Sequence, residues 1–196
     1  MVVGFNVVRA LVAARNLGVS ARNGNVPRGF FEHAVASAAG ASIVAKASGQ
    51  RSSDAFSAAL LHDIGAVLLF KSRRSVWSEI LVGPEAAIHS SLRAERTVFG
   101  ISHDELGADV FEYLHFPAGL TASARDHNKL PGPDVARLSL AVIGGITLAE
   151  SVGIVGATEQ VAPIHHTIEA LDIDVDIAEL QHRLQRERAE LRAVLG

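Results

Sequence analysis

The stretch that decides the fold is Leu60-Leu61-His62-Asp63-Ile64-Gly65. It follows Ser52 and Ser53, either of which can cap a helix. Phe56, Leu60, Leu61, Ile64, Val67 and Leu68 then recur at helical spacing. The pattern predicts an adjacent His-Asp pair inside an apolar helix. Neighbouring helix residues point about 100° apart, so both side chains can approach one point from different directions. A buried imidazole and carboxylate need partners, and a metal ion satisfies both. The plainer alternative is a core histidine bonded to a backbone carbonyl, with Asp63 paired to an arginine.

Outward from this pair the same spacing continues, and strict apolar–polar alternation is hard to find. A first helix is expected over residues 6–17, stopped by Gly18. Pro27 opens a long helix through Phe30, Phe31, His33, Val35, Ile43 and Val44, ended by Gly49. A short helix over 76–81 follows. Pro84 starts another that reaches Phe99 and closes at Gly100. Ser102 with Glu105 is a capping box for a helix to His115. Pro117 opens a helix ending at His127. Leu130-Pro131-Gly132-Pro133 is a loop. An apolar helix then covers 134–152, where Gly144-Gly145 costs helix propensity and points to close packing against another helix. A short helix over 164–171 and a charged one over 174–195 complete an all-α chain.

Composition agrees. Of the 196 residues, 48% are hydrophobic but only 5% aromatic. Helix formers outnumber the residues that sheets favour, and the chain is long enough for a core of its own. Lys and Arg total 18 against 21 Asp and Glu, with no basic block, so nucleic acid is not an expected partner. There is no cysteine, which excludes disulfides and thiolate metal ligands and fits a cytoplasmic protein. Residues 138–149 form the longest nearly uncharged apolar run, too short to span a bilayer, so no membrane association is expected.

Further groups lie at helix positions suited to a site. His33 is mid-helix beside Phe30 and Phe31, and His103 is in a first turn. Asp126-His127 closes a helix, and Glu150 lies late in an apolar one, where an unpartnered carboxylate is costly. His89, His115, His165, His166 and His182 read as surface or helix-end residues and are left unassigned. An imidazole-plus-carboxylate set suits Fe, Mn, Zn or Mg.

The order of these features closely resembles the HDOD family. It runs from His33 to Leu60-Leu61-His62-Asp63-Ile64-Gly65, then to Glu95-Arg96-Thr97-Val98-Phe99-Gly100-Ile101-Ser102-His103-Asp104-Glu105-Leu106-Gly107-Ala108, then to the Pro117 helix ending in Asp126-His127. That family is a branch of the HD superfamily, related to the HD-GYP cyclic-di-GMP phosphodiesterases. The resemblance implies a compact helical HD-superfamily domain over 1–153 with a C-terminal helical extension over 154–196. It implies a bacterial signalling module. It also implies a divalent-metal site drawn from His33, His62, Asp63, His103, His127 and Glu150, with His62 and Asp63 the catalytic pair if the chain is active.

Three departures weaken catalysis. Ala66 stands where active relatives commonly carry a phosphate-meeting Lys. Asp126-His127-Asn128 stands where the phosphodiesterases carry His-His-Glu. Leu130-Pro131-Gly132-Pro133 replaces their Gly-Tyr-Pro. Metal-activated water survives such losses better than phosphate binding does. The expectation is therefore a non-catalytic regulatory domain acting through protein contacts. The alternative is a phosphohydrolase acting on a nucleotide or cyclic dinucleotide.

The expected geometry is that His33, His62, Asp63 and His127 converge, with His103 at the rim. The chain starts where family members usually have several preceding helices. Uncovered Val3, Phe5, Val7, Val8 and Leu11 would then favour a protein partner or self-association. The stripe Ile177, Leu180, Leu184, Leu191 and Val194 either packs back on the domain or meets a partner helix.

Overall fold

A long alanine-rich helix forms the centre of the molecule, and the others are arranged around it. The computed structural model describes residues 26–27, 29–82, 88–154 and 163–195. Its helices are α1 (Phe30–Ala47), α2 (Ser52–Leu61), α3 (Ile64–Ser72), α4 (Arg74–Val82), α5 (Ile88–Phe99), α6 (His103–Tyr113), α7 (Ala118–Asp126), α8 (Arg137–Ser151), α9 (Ile164–Leu171) and α10 (Ile177–Leu195). No strand occurs among the described residues, as the missing alternation predicts. The helix expected over 6–17 and the apolar residues from Val3 to Leu11 lie outside the described residues.

The α1 helix packs most extensively on α8 and α2. Ala36, Ala38, Ala39 and Ala41 give it a small-residue surface, buried in the main core with Val142, Ile143, Ile146 and Leu148 of α8. The two backbones meet at Gly145, where a Cβ would lie 2.3 Å from the Ala41 amide nitrogen. Close packing is thus the reason for a residue that costs helix propensity.

Two sequence expectations are corrected. The His-Asp pair lies at a break between α2 and α3, not within one helix. Asp63 takes φ −103°, ψ 21°, outside helical values. The turn lets α3 approach α6 so closely that a Cβ on Gly65 would lie 1.9 Å from the His103 carbonyl oxygen. The apolar helix α8 begins at Arg137 rather than at 134, because Val135 N–H closes a turn onto Gly132 instead.

A second cluster, Ala66, Leu69, Phe70 and Trp77, is flanked by Phe99, Ile101 and Leu106, and it ties α3 and α4 to the α5–α6 corner. Residues Ser52–Ser72, taken together, are apolar and long enough to cross a membrane, a run that the sequence reading passed over. They are mostly buried inside the domain and broken at His62-Asp63, which fits a core element. At the C-terminus, Leu171, Ile173, Leu180 and Leu184 join the main core. The described part of the α10 stripe therefore packs back on α1 and α8. The side chains of Leu191 and Val194 lie outside the described residues.

Candidate metal centre

Four histidines reach one buried place from four helices or their ends. His33 is on α1, His62 ends α2, His103 opens α6 and His127 ends α7. Each is no more than 1% exposed, and Asp63 is 3% exposed. Successive ring centroids lie 5.3 Å apart for His33–His62, 5.0 Å for His62–His127 and 5.3 Å for His127–His103. The expected convergence of His33, His62, Asp63 and His127 is present in this geometry. His103 is not at the rim; it is fully buried and central. A first-turn residue reads as peripheral in sequence, but the close α3–α6 approach covers it.

The orientation of each ring follows from what its Nδ1 meets. His62 Nδ1 lies 2.6 Å from the Ala59 carbonyl, and His127 Nδ1 lies 2.7 Å from the Ala124 carbonyl. A carbonyl only accepts, so both Nδ1 atoms donate. Both residues follow the end of a helix and bond back to the carbonyl three residues earlier. His103 Nδ1 lies 2.8 Å from Glu95 Oε2, and that oxygen also accepts the His103 backbone N–H at 2.7 Å. In neutral rings this leaves the Nε2 lone pairs of His62, His103 and His127 facing inward. Fixing Nδ1 in this way is the support that metal-ligating histidines typically receive.

Those inward nitrogens nearly touch. His33 Nε2 is 3.3 Å from His62 Nε2, and His103 Nε2 is 3.2 Å from His127 Nε2. Asp63 Oδ1 lies 3.7 Å from His103 Nε2. Two lone pairs facing at 3.2 Å need something positive between or beside them. A metal ion is one solution. Two imidazole nitrogens at ~2.0–2.1 Å from one tetrahedral ion lie roughly 3.3–3.4 Å apart. Asp63, His103 and His127 offer ligand atoms all within 4.8 Å of one another, a buried group able to hold a metal ion. The donor set fits such an ion: imidazole and carboxylate suit Fe, Mn or Zn. Glu150, half-buried at the C-terminal end of α8, is not in that group.

A proton is the second solution. Burial opposes charge on His103, but the hydrogen bond to Glu95 and the charges of Asp63, Glu95 and Asp104 outweigh it. They push its pKa up to about 9. Asn128 is the third. Its Nδ2 lies 3.0 Å from His103 Nε2 and 2.9 Å from His127 Nε2, where an amide N–H₂ can donate to both.

Sequence reasoning gave no role to Glu95 or Asn128. Glu95 is wholly buried, and its neighbour Arg96 donates to Glu105 through Nε and Nη2, each at 3.1 Å. Adjacent residues of α5 thus hold two residues of the first turn of α6. Glu105 in turn accepts the Ser102 N–H at 3.1 Å, the expected capping contact. The signal was the spacing from Glu95 to His103, already prominent in the motif but read there only as family likeness.

The HDOD domain model matches residues 1–130. The chain belongs to the HDOD family. Three crystal structures share its fold. A "Putative phosphohydrolase" from Shewanella amazonensis is 20% identical with a TM-score of 0.67, over 92% of this chain and 68% of that one. A "Putative signal transduction protein" from Marinobacter aquaeolei is 24% identical with a TM-score of 0.71, over 98% and 45%. An HDOD domain protein of unknown function from Geobacter sulfurreducens is 20% identical with a TM-score of 0.65, over 84% and 60%. This chain spans about half of the Marinobacter protein and three fifths of the Geobacter one. No curated protein matches it.

Proposed function

We propose that this HDOD chain is a bacterial cytoplasmic signal-transduction domain that acts through protein contacts, without catalysis. In this reading its buried centre holds a divalent metal as a structural element. The family domain covers 1–153, and 154–196 is a helical extension. The observation that carries the proposal is burial. His33, His62, Asp63, His103 and His127 are all 3% exposed or less. A hydrolytic metal needs a coordination position open to water and substrate, whereas a structural one is closed. The surroundings also lack a phosphate-binding cation at the expected place, since Ala66 is buried among Leu69, Phe70 and Trp77. The name of the Marinobacter relative agrees with a signalling role.

One observation favours a second reading. The donor set is intact, down to the Glu95 support for His103. Under that reading the chain is a metal-dependent phosphohydrolase of nucleotides or cyclic dinucleotides, with Asp63 and His62 at the reacting centre.

The two readings separate by assay. The untagged full chain, supplied with Mn or Fe, is offered cyclic di-GMP and nucleoside triphosphates. The proposal expects no turnover above a metal-only control. Turnover lost in both His62→Ala and Asp63→Ala would replace it with the second reading.

A further inference from the structure

A second polar site lies on the other half of α1. The groove between α1, the start of α2 and α10 has a volume of about 540 Å³, within the range that takes a small molecule. Ser42 and Lys46 line it from α1, Ser52 from α2, and His182, Arg183 and Arg186 from α10. Arg183 is already paired with Glu179, and Glu187 adds a second acidic group at the edge. Lys46, His182 and Arg186 have no hydrogen-bond or ion-pair partner among the described residues.

The start of α2 forms one wall of this groove. Its N-cap, Arg51, makes no side-chain cap bond. Ser52, a cap candidate by composition, donates its hydroxyl to the Ser42 carbonyl instead, while the Ser42 hydroxyl donates to the Ser52 carbonyl. The reciprocal pair locks α1 to the α2 N-terminus. The first turn of α2 carries its own carboxylate, Asp54, 3.7 Å from the Arg51 guanidinium, so the positive charge of the groove comes from its side chains.

We propose that this groove binds a small phosphate-bearing molecule, the phosphate held by Lys46 and Arg186. An aliphatic ammonium gives a point charge and a guanidinium gives a fork, a pairing suited to phosphate oxygens. The volume beyond the phosphate accommodates a group of about nucleoside size. This site is distinct from the histidine centre: Lys46 lies 13 residues beyond His33 on the same helix, roughly 20 Å away at 1.5 Å per residue.

The test is titration calorimetry of the full untagged chain with AMP and, separately, inorganic phosphate, at low and at physiological salt. The expected result is saturable binding of AMP that weakens as salt rises. The double variant Lys46→Ala, Arg186→Ala should bind at least tenfold more weakly, while Asp63→Asn should bind as the parent does. Both replaced residues are exposed, so the fold is retained, and circular dichroism checks it. Absence of saturable binding with either probe would overturn the proposal. So would a double variant that binds like the parent, or loss of binding in Asp63→Asn alone.

Discussion

Glu95 and His103 form a buried pair in which one carboxylate oxygen takes two hydrogen bonds from one residue, through the backbone N–H at 2.7 Å and through Nδ1 at 2.8 Å. This grip both closes the α5–α6 corner and turns His103 Nε2 toward His127. Glu95→Ala strands two buried donors. Removing one partner of a buried ionic pair costs about 3–5 kcal/mol. Glu95→Gln keeps an acceptor and should cost about 1–3 kcal/mol. Urea unfolding of both variants checks the order; equal, small effects would show that the pair is not a structural tie.

The same pair gives the metal-free protein a pH signature. The His103 pKa is raised in the folded state to about 9, from the ordinary 6.5. Its contribution is therefore complete below pH 6.5 and is lost as pH rises through 9. Metal binding runs the other way, since a bound ion must displace the Nε2 proton. Chelated protein should lose stability between pH 6.5 and 9, while metal affinity should rise over that interval. Thermal melts with and without chelator read both trends.

Asn128 competes with a metal for the two lone pairs at His103 and His127. Asn128→Ala should destabilise the chelated protein by about 1–3 kcal/mol and leave metal affinity unchanged or higher. Lower metal affinity in that variant would mean that the amide oxygen is itself a ligand. Chelator competition measures the difference.

Gly65 is where α3 and α6 nearly fuse. A Cβ there would lie 1.9 Å from the His103 carbonyl and 2.8 Å from the Gly107 amide nitrogen, both backbone atoms that cannot rotate aside. Gly65→Ala must push the two helices apart, taking His103 with it. The expected outcome is a loss of several kcal/mol, at or above the ~1–3 kcal/mol typical of overpacking, together with loss of metal binding. A Gly65→Ala protein with parental stability would contradict the packing described.

The Arg96–Glu105 pair behaves differently because it is at the surface, 46% and 41% exposed. The hydrogen bond from Arg96 holds the Glu105 pKa down to about 2 against an ordinary 4.5. Its contribution is present above pH 4.5 and disappears as pH falls through 2. Solvent screening keeps it to under about 1 kcal/mol. Arg96→Ala should therefore cost up to about 1 kcal/mol at pH 7, and its difference from the parent should vanish as pH falls through 2.

Much of this was legible in the sequence for physical reasons. Helical period, Pro and Gly boundaries and the capping box at Ser102 placed most helices, because those signals are local. The break at His62-Asp63 was not legible, since the apolar period runs straight across it. The membership of His33, His62, Asp63, His103 and His127 in one site came from their order along the chain. Their arrangement did not: His103 is central because distant α3 covers it. Glu95 and Asn128 escaped notice because their roles are to hold and face imidazoles supplied by other segments. Lys46, His182 and Arg186 are separated by up to 140 positions, and no local pattern joins them.

The central claim is that the buried imidazole and carboxylate groups hold one metal centre, and native mass spectrometry of the untagged full chain tests it most directly. Protein expressed with Fe, Mn and Zn supplied should retain bound transition metal, and Asp63→Ala and His127→Ala should each release it while remaining folded by circular dichroism. A parent protein that carries no metal under those conditions, or variants that keep it in full, would contradict the account.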